Sequence, residues 1–143
     1  DPDKKMLELN TFENKVLGSA ENLPFEDNSF DNVFCSFVWR NVSDTNKALE
    51  EVHRVLKPGG KFILLDMTRP KNSFLKMLHK IGTFKVLHLI GLLTFNLKEY
   101  RFLYKSLDFY PQPENHLKKD TFIDLQIERM GVFNFVYLAV FTK

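Results

Sequence analysis

The chain has 143 residues, 44% of them hydrophobic, and a formal net charge of +2. That is the length of one ordinary domain with enough apolar content for a core, and the charge is too small to point to a nucleic-acid partner. The single cysteine, Cys35, excludes an internal disulfide and suits a cytoplasmic protein.

The first predicted element is a short helix over residues 3–9, with Asp3 placed as its N-cap. Lys15 to Gly18 is read as a short strand, followed by a polar loop from Ser19 to Asp31. Asn32 to Val38 is an apolar run with aromatic and β-branched members, the pattern of a buried strand. Ser43 or Asp44 is placed to cap the next helix. Its apolar residues Ala48, Leu49, Val52, Val55 and Leu56 recur at helical spacing. Pro58-Gly59-Gly60 is expected to end that helix, with a second apolar strand from Lys61 to Asp66. Strand, helix, turn and strand in this order make a βαβ unit and imply a parallel sheet covered by helices.

The character then changes. Between Met67 and Lys98 there is no Asp or Glu. The apolar residues there suggest two short helices broken near Gly82-Thr83, then a third helix from Leu97 to Leu107. A Pro-rich turn, Tyr110 to Pro113, follows. The last two predicted strands, Ile123 to Arg129 and Phe133 to Phe141, flank Met130-Gly131 and should form an antiparallel hairpin.

Several runs carry a family resemblance. They are Gly18-Ser19-Ala20-Glu21-Asn22-Leu23-Pro24-Phe25 with Asn28-Ser29-Phe30-Asp31, and Phe37-Val38-Trp39-Arg40-Asn41-Val42-Ser43-Asp44. Arg54-Val55-Leu56-Lys57-Pro58-Gly59-Gly60-Lys61 and Leu65-Asp66-Met67-Thr68 follow, and Tyr100-Arg101-Phe102-Leu103 and Tyr110-Pro111-Gln112 complete the set. Together they resemble the ubiquinone/menaquinone-biosynthesis C-methyltransferases, a family of class I S-adenosylmethionine-dependent enzymes. The Arg-Asn-Val-Ser-Asp run is the most specific of them. The resemblance implies an α/β fold, the C-terminal part of a Rossmann-like doubly wound sheet ending in an antiparallel hairpin. It spans residues 1–143, with 67–107 as a helical lid.

The resemblance also implies a cofactor, S-adenosyl-L-methionine, and a set of contacts to it. Asp1 stands where the family's acidic residue grips the ribose hydroxyls. Ser19 stands where the family carries Asp or Asn against the adenine amine; its shorter reach leaves that contact to a water. Ala20 would offer its backbone N–H to the ring. Ser36 and Phe37, at a strand's carboxyl end, should lie under the methionine end. The family's glycine-rich loop would precede Asp1, so this chain alone is expected to bind cofactor poorly. Arg40 and Asn41 are the expected catalytic pair. Arg40 is charged at any ordinary pH, so it would steady a phenolate or polarise a water rather than act as a base, and Asn41 would orient the ring oxygen.

Asp66 could touch substrate or cap its turn. His79, His88 and His116 are candidate bases with no carboxylate near them in sequence; packed or solvated roles suit them better. His53 is read as a surface residue and Cys35 as a small core residue. No spacing suggests a metal site. The expected substrate is an apolar small molecule, a polyprenylated quinone precursor. The acid-free segment reads either as ordinary cover helices or as a lid that brushes an anionic membrane surface, because Lys76, Lys80 and Lys85 interrupt it too often for a spanning helix. An exposed sheet edge would favour a homodimer. Two alternatives stay open: methylation of another apolar small molecule, and a non-catalytic piece that works with a partner.

Overall fold

The computed structural model describes residues 2–117 and 121–143. Its elements in chain order are α1 (Lys4–Leu9), β1 (Phe30–Ser36), α2 (Thr45–Val55), β2 (Leu56–Met67), α3 (Ser73–Leu93), α4 (Leu97–Phe109), α5 (Pro113–His116), β3 (Asp124–Met130) and β4 (Val136–Thr142). The strands pair in the order β1-β2-β4-β3. The chain forms two compact units, one of Asp1–Leu64, Lys119–Leu125 and Val140–Lys143, the other of Leu65–Lys118 and Gln126–Ala139.

In the first unit the βαβ expectation is met. The Ser29 N–H donates to the Val55 carbonyl at 2.8 Å, and Lys57 pairs with Asp31 at 2.9 Å, so β1 and β2 start side by side. The Asp44 carboxylate caps α2 by accepting from the Asn46 and Lys47 N–H groups, both at 3.1 Å. The helix buries Ala48, Leu49, Val52 and Val55. Leu49, Val52 and Val55 each contribute roughly 1.5–3 kcal/mol by leaving water. Phe62 stacks on Phe141 with centroids 5.5 Å apart and meets Trp39 at 5.4 Å. β4 runs against β2: the Gly59 N–H donates to the Lys143 carbonyl at 2.8 Å, and the Lys143 N–H donates to the Gly60 carbonyl at 3.0 Å. β3 runs against β4, with the Ile123 N–H on the Thr142 carbonyl at 2.8 Å.

The Lys-Pro-Gly-Gly run is not where the helix ends. α2 stops at Val55, and Leu56 already starts β2. Gly59 has φ +78°, a kink inside the strand, and a Cβ on Gly60 would sit 2.9 Å from the carbonyl oxygens of both Asp31 and Lys57. Glycine is needed at both positions, one for a backbone angle and one for closeness. No strand forms over 15–18; among the described residues the only pairing near it is an isolated bridge between Ser19 and Asn22. A strand without a neighbour leaves its backbone groups to water and gains nothing.

In the second unit the helical segment is simpler than its sequence suggests. α3 runs unbroken for 21 residues. Asn72 caps it by accepting from the Phe74 and Leu75 N–H groups at 3.0 and 3.1 Å. Gly82 does not break it, since one glycine costs only about 1 kcal/mol relative to alanine. The Thr83 hydroxyl donates to the His79 carbonyl at 2.7 Å on the same helix. The closing hairpin is present, with Gly131 at φ +79° and a short 3-10 turn over Val132–Asn134 ahead of β4. No helix among the described residues is long and apolar enough to cross a membrane.

Candidate functional site

In the first unit, Arg54 of α2 organises the loop before β1. Its guanidinium donates to the carbonyls of Leu23 at 2.9 Å and Phe25 at 2.8 Å, and to Asp27 at 2.8 Å. Glu51 receives Arg54 Nε at 2.8 Å and the Leu23 N–H at 2.8 Å. The Arg54 hydrogen bond holds the Glu51 carboxyl down at about 2. The Leu-Pro-Phe motif is thus a loop stapled to α2 by a fork of donors that only arginine supplies.

The same loop carries Ser19 and Ala20, both half-buried. The Ser19 hydroxyl donates to the Glu21 carboxylate. The other Glu21 oxygen accepts from the Ser43 and Asp44 N–H groups at 3.1 and 3.3 Å. The Ser19 hydrogen bond, helped by those amides, lowers the Glu21 pKa. Glu21 therefore ties the Ser19 loop to the segment that follows Arg40-Asn41. Ser19 spends its proton on Glu21, and its oxygen accepts from the Glu21 N–H at 3.3 Å.

β1 ends at Ser36, and the chain turns sharply. Phe37 adopts φ +56°, a left-handed conformation that costs a bulky residue roughly 1–2 kcal/mol. A 3-10 turn, Trp39–Asn41, follows. Trp39, 1% exposed, is the wedge that holds this turn against Phe62. The Asn41 N–H donates to the Val38 carbonyl at 2.8 Å. Arg40 is half-buried, while Ser36, Phe37 and Asn41 are exposed. A strained aromatic at the carboxyl end of a parallel strand fits a ligand-contacting position, since such sites are where strain is retained. These residues suit one wall of a nucleoside-cofactor site: an exposed ring, a short serine and backbone amides of a tight turn.

The second unit holds a centre that the sequence reading missed. Arg69, 2% exposed, follows β2 directly. Its Nε donates to Asp108 at 2.9 Å, Nη1 to the Thr83 hydroxyl at 2.9 Å and Nη2 to the Tyr104 carbonyl at 3.2 Å. Its guanidinium carbon lies 4.9 Å from the Tyr104 ring centroid. Nη1 also approaches His79 Nδ1 at 3.2 Å. Burial pushes the Asp108 carboxyl up, but hydrogen bonds from Lys80 and Arg69 outweigh it and the net shift is downward. His79 is buried, and its pKa is lowered first by that burial and then by the Arg69 charge. Beside it is an apolar cavity of about 380 Å³, walled by Met67, Leu78, Val86, Leu103, Leu107 and Phe133 among others.

The expected site residues fall out as follows. Ser36, Phe37, Arg40 and Asn41 share one turn. Ser19 and Ala20 lie in the loop that Glu21 fastens beyond that turn. Asp1 lies outside the described residues. Asp66 is fully buried and its carboxylate accepts from the Met67 N–H at 2.7 Å. The remaining histidines each meet an aromatic ring, His88 from an exposed position. His88 stacks on Phe84 at 5.6 Å, and His116 accepts from the Tyr110 hydroxyl and donates to the Gln112 carbonyl at 3.0 Å. His53 is half-buried and meets Phe122 edge-on at 5.1 Å.

Comparison with known proteins agrees with this architecture. Residues 4–133 match the model of the ubiE/COQ5 methyltransferase family. The chain is 46% identical over 114 residues to the ubiquinone/menaquinone biosynthesis C-methyltransferase UbiE of Rickettsia bellii, covering 78% of this chain and 46% of that protein. The UbiE of Rickettsia prowazekii is 41% identical over 115 residues. The chain thus spans about half the length of these curated relatives, 46% of the entire protein in each. Among solved structures, a SAM-dependent methyltransferase of Thermotoga maritima superposes with TM-score 0.59 at 21% identity, over 90% of this chain and 63% of that one. A protein of Anabaena variabilis, described as a methyltransferase of an antibiotic biosynthesis pathway, gives 0.61 at 19% identity, over 91% and 47% of the two chains. These structures share the fold of SAM-dependent methyltransferases, and the chain belongs to the ubiE/COQ5 methyltransferase family.

Proposed function

We propose that the protein transfers a methyl group from S-adenosylmethionine to a ring carbon of a polyprenylated hydroquinone or naphthol. Family membership supports the reaction class, and the turn from Ser36 to Asn41 is the observation that carries the site. The cofactor supplies an electrophilic methyl group on a sulfonium, displaced in line. Ser36, Phe37 and the Ser19-Ala20 loop are the residues of this chain suited to hold it. Arg40 steadies the phenolate whose charge makes the neighbouring ring carbon nucleophilic, and Asn41 accepts or donates to orient the ring oxygen. Trp39 and Glu21 position this turn from either end.

The substrate reading also draws on α3. Phe74, Met77, Phe84, Leu89, Leu92 and Leu93 on it are all at least half exposed, and no acid lies between Met67 and Lys98. An apolar, cationic helix suits uptake of a greasy substrate at an anionic membrane surface. Sedimentation with vesicles should show binding that rises with phosphatidylglycerol content; equal binding to neutral vesicles would remove the electrostatic part. The reaction itself is tested in a protein of the curated relatives' full length that contains this chain, supplied with methyl-labelled S-adenosylmethionine and a demethylated prenyl-naphthol. Label should appear on ring carbon, and label on oxygen or none at all would overturn the assignment.

A further inference from the structure

The cavity beside Arg69 has one polar feature that nothing above uses. Of the side chains walling it only His79 and Thr83 are polar. The Thr83 hydroxyl is already committed, donating to the His79 carbonyl and accepting from Arg69 Nη1. His79 is left. Arginine has donors only, so the 3.2 Å contact from Arg69 Nη1 makes His79 Nδ1 the acceptor. A neutral imidazole that accepts at Nδ1 carries its proton on Nε2. Nε2 makes no hydrogen bond to any described residue. The His79 ring lies 5.2 Å from the Phe135 ring and 6.5 Å from the Phe133 ring. Nε2 is therefore the one uncommitted side-chain donor on the wall of an apolar cavity of small-molecule size, placed to meet an acceptor that a ligand brings.

We infer that this cavity binds an apolar, ring-bearing small molecule, and that His79 donates from Nε2 to a carbonyl or phenolate oxygen of that ring. Arg69 is the positioning residue: it fixes the tautomer, and Asp108, Thr83 and the Tyr104 carbonyl fix Arg69. The aromatic wall accounts for a flat ring, and the single donor accounts for a ligand that offers an acceptor and no second polar group in that region. Naming the ring as quinoid rests on the proposed function; the chemistry of an apolar ring with one oxygen acceptor rests on the cavity alone. Gly82 provides an independent handle. It lines the cavity, and a Cβ built on it meets nothing within 4 Å. A larger side chain there enters the cavity while improving helix propensity.

The test uses the 143-residue chain and 2,3-dimethyl-1,4-naphthoquinone, whose blocked ring positions do not add to Cys35. The control is 2,3-dimethylnaphthalene, the same shape without oxygens. Nitrogen-15 spectra of the free protein should show His79 as the Nε2–H tautomer. The quinone should move Nε2 and leave Nδ1 in place. It should bind about tenfold tighter than the hydrocarbon, because only the quinone satisfies the donor. His79→Phe should abolish that tenfold preference, and Gly82→Leu should weaken both probes at least tenfold with the His79 tautomer intact. Equal affinity for the two probes, the opposite tautomer, no binding, or undiminished binding to Gly82→Leu would each overturn the site. The spectra of the unaltered chain decide the matter if a variant fails to fold. Methyl transfer is scored separately. Transfer by the full-length protein that persists with this site disproved leaves the proposed function standing, and a proven site in a full-length protein without transfer removes that function and leaves the site.

Discussion

The turn after β1 and the Arg69 centre are built by opposite means. The turn is local: Ser36 to Asn41 are consecutive, and one wedge, Trp39, sets their geometry. The Arg69 centre gathers Arg69, His79, Thr83, Tyr104 and Asp108, spread over 40 positions of the chain. The turn keeps Ser36 and Asn41 exposed and stores strain at Phe37. The centre buries a cation and satisfies it from every side. A short exposed turn can change its chemistry residue by residue, whereas a buried network stands or falls together.

That contrast can be broken by substitution, beginning with the largest effect. Arg40→Ala should reduce methyl transfer by about 10²–10³-fold, the usual loss when one stabilising donor is removed, with S-adenosylmethionine affinity and melting temperature nearly unchanged. A normal rate would take Arg40 out of the site. Arg69→Ala should behave in the reverse sense, costing about 3 kcal/mol in denaturant unfolding because it leaves the partly buried Asp108 with Lys80 alone and removes a fully packed side chain. Replacing Asp108 by Asn in the same chain should recover part of that loss, and strict additivity of the two would show that the pair is uncoupled.

Gly60→Ala tests the motif by which the sequence is most easily placed. With backbone oxygens at 2.9 Å on two sides, it should cost about 1–3 kcal/mol and lower the thermal midpoint. The pH response should be shallower. The Glu51 and Glu114 carboxyls are held at about 2, against an ordinary 4.5, first by hydrogen bonds from Arg54 and Arg129. Their stabilisation is complete above 4.5 and is lost as pH falls towards 2. His79 and His116 are shifted down chiefly by burial. Stability from keeping them neutral is present above 6.5 and declines as pH falls below it. Urea midpoints from pH 7 to 3 should therefore fall in two steps, and Glu51→Gln with Glu114→Gln should flatten the second. The smallest effect is at Phe37. Asn tolerates the left-handed region, so Phe37→Asn should leave stability unchanged or raise it by about 0.5–1 kcal/mol while methyl transfer drops. A loss of stability would mean that the ring is packing rather than waiting for a ligand.

Much of this is legible in the chain itself. The βαβ unit, the Asp3 and Asp44 caps and the closing hairpin follow from period, capping chemistry and turn residues, which are local signals. The unbroken α3 was not legible, because a lone Gly-Thr pair reads as a stop when the cost of continuing is hidden in the packing. Glu21 stood inside a recognised run, yet its bonds to Ser43 and Asp44 cross 22 and 23 positions. Asp108 carried no signal at all.

By itself, then, the sequence determined the family, the order of elements and the turn that carries Arg40 and Asn41, since these depend on neighbours a few residues apart. The tertiary structure alone decided that Arg69 is buried, that His79 presents a fixed ring proton, and that Gly60 must lack a Cβ. Each of those depends on what the fold brings within hydrogen-bond or van der Waals reach, and spacing along the chain does not encode that distance.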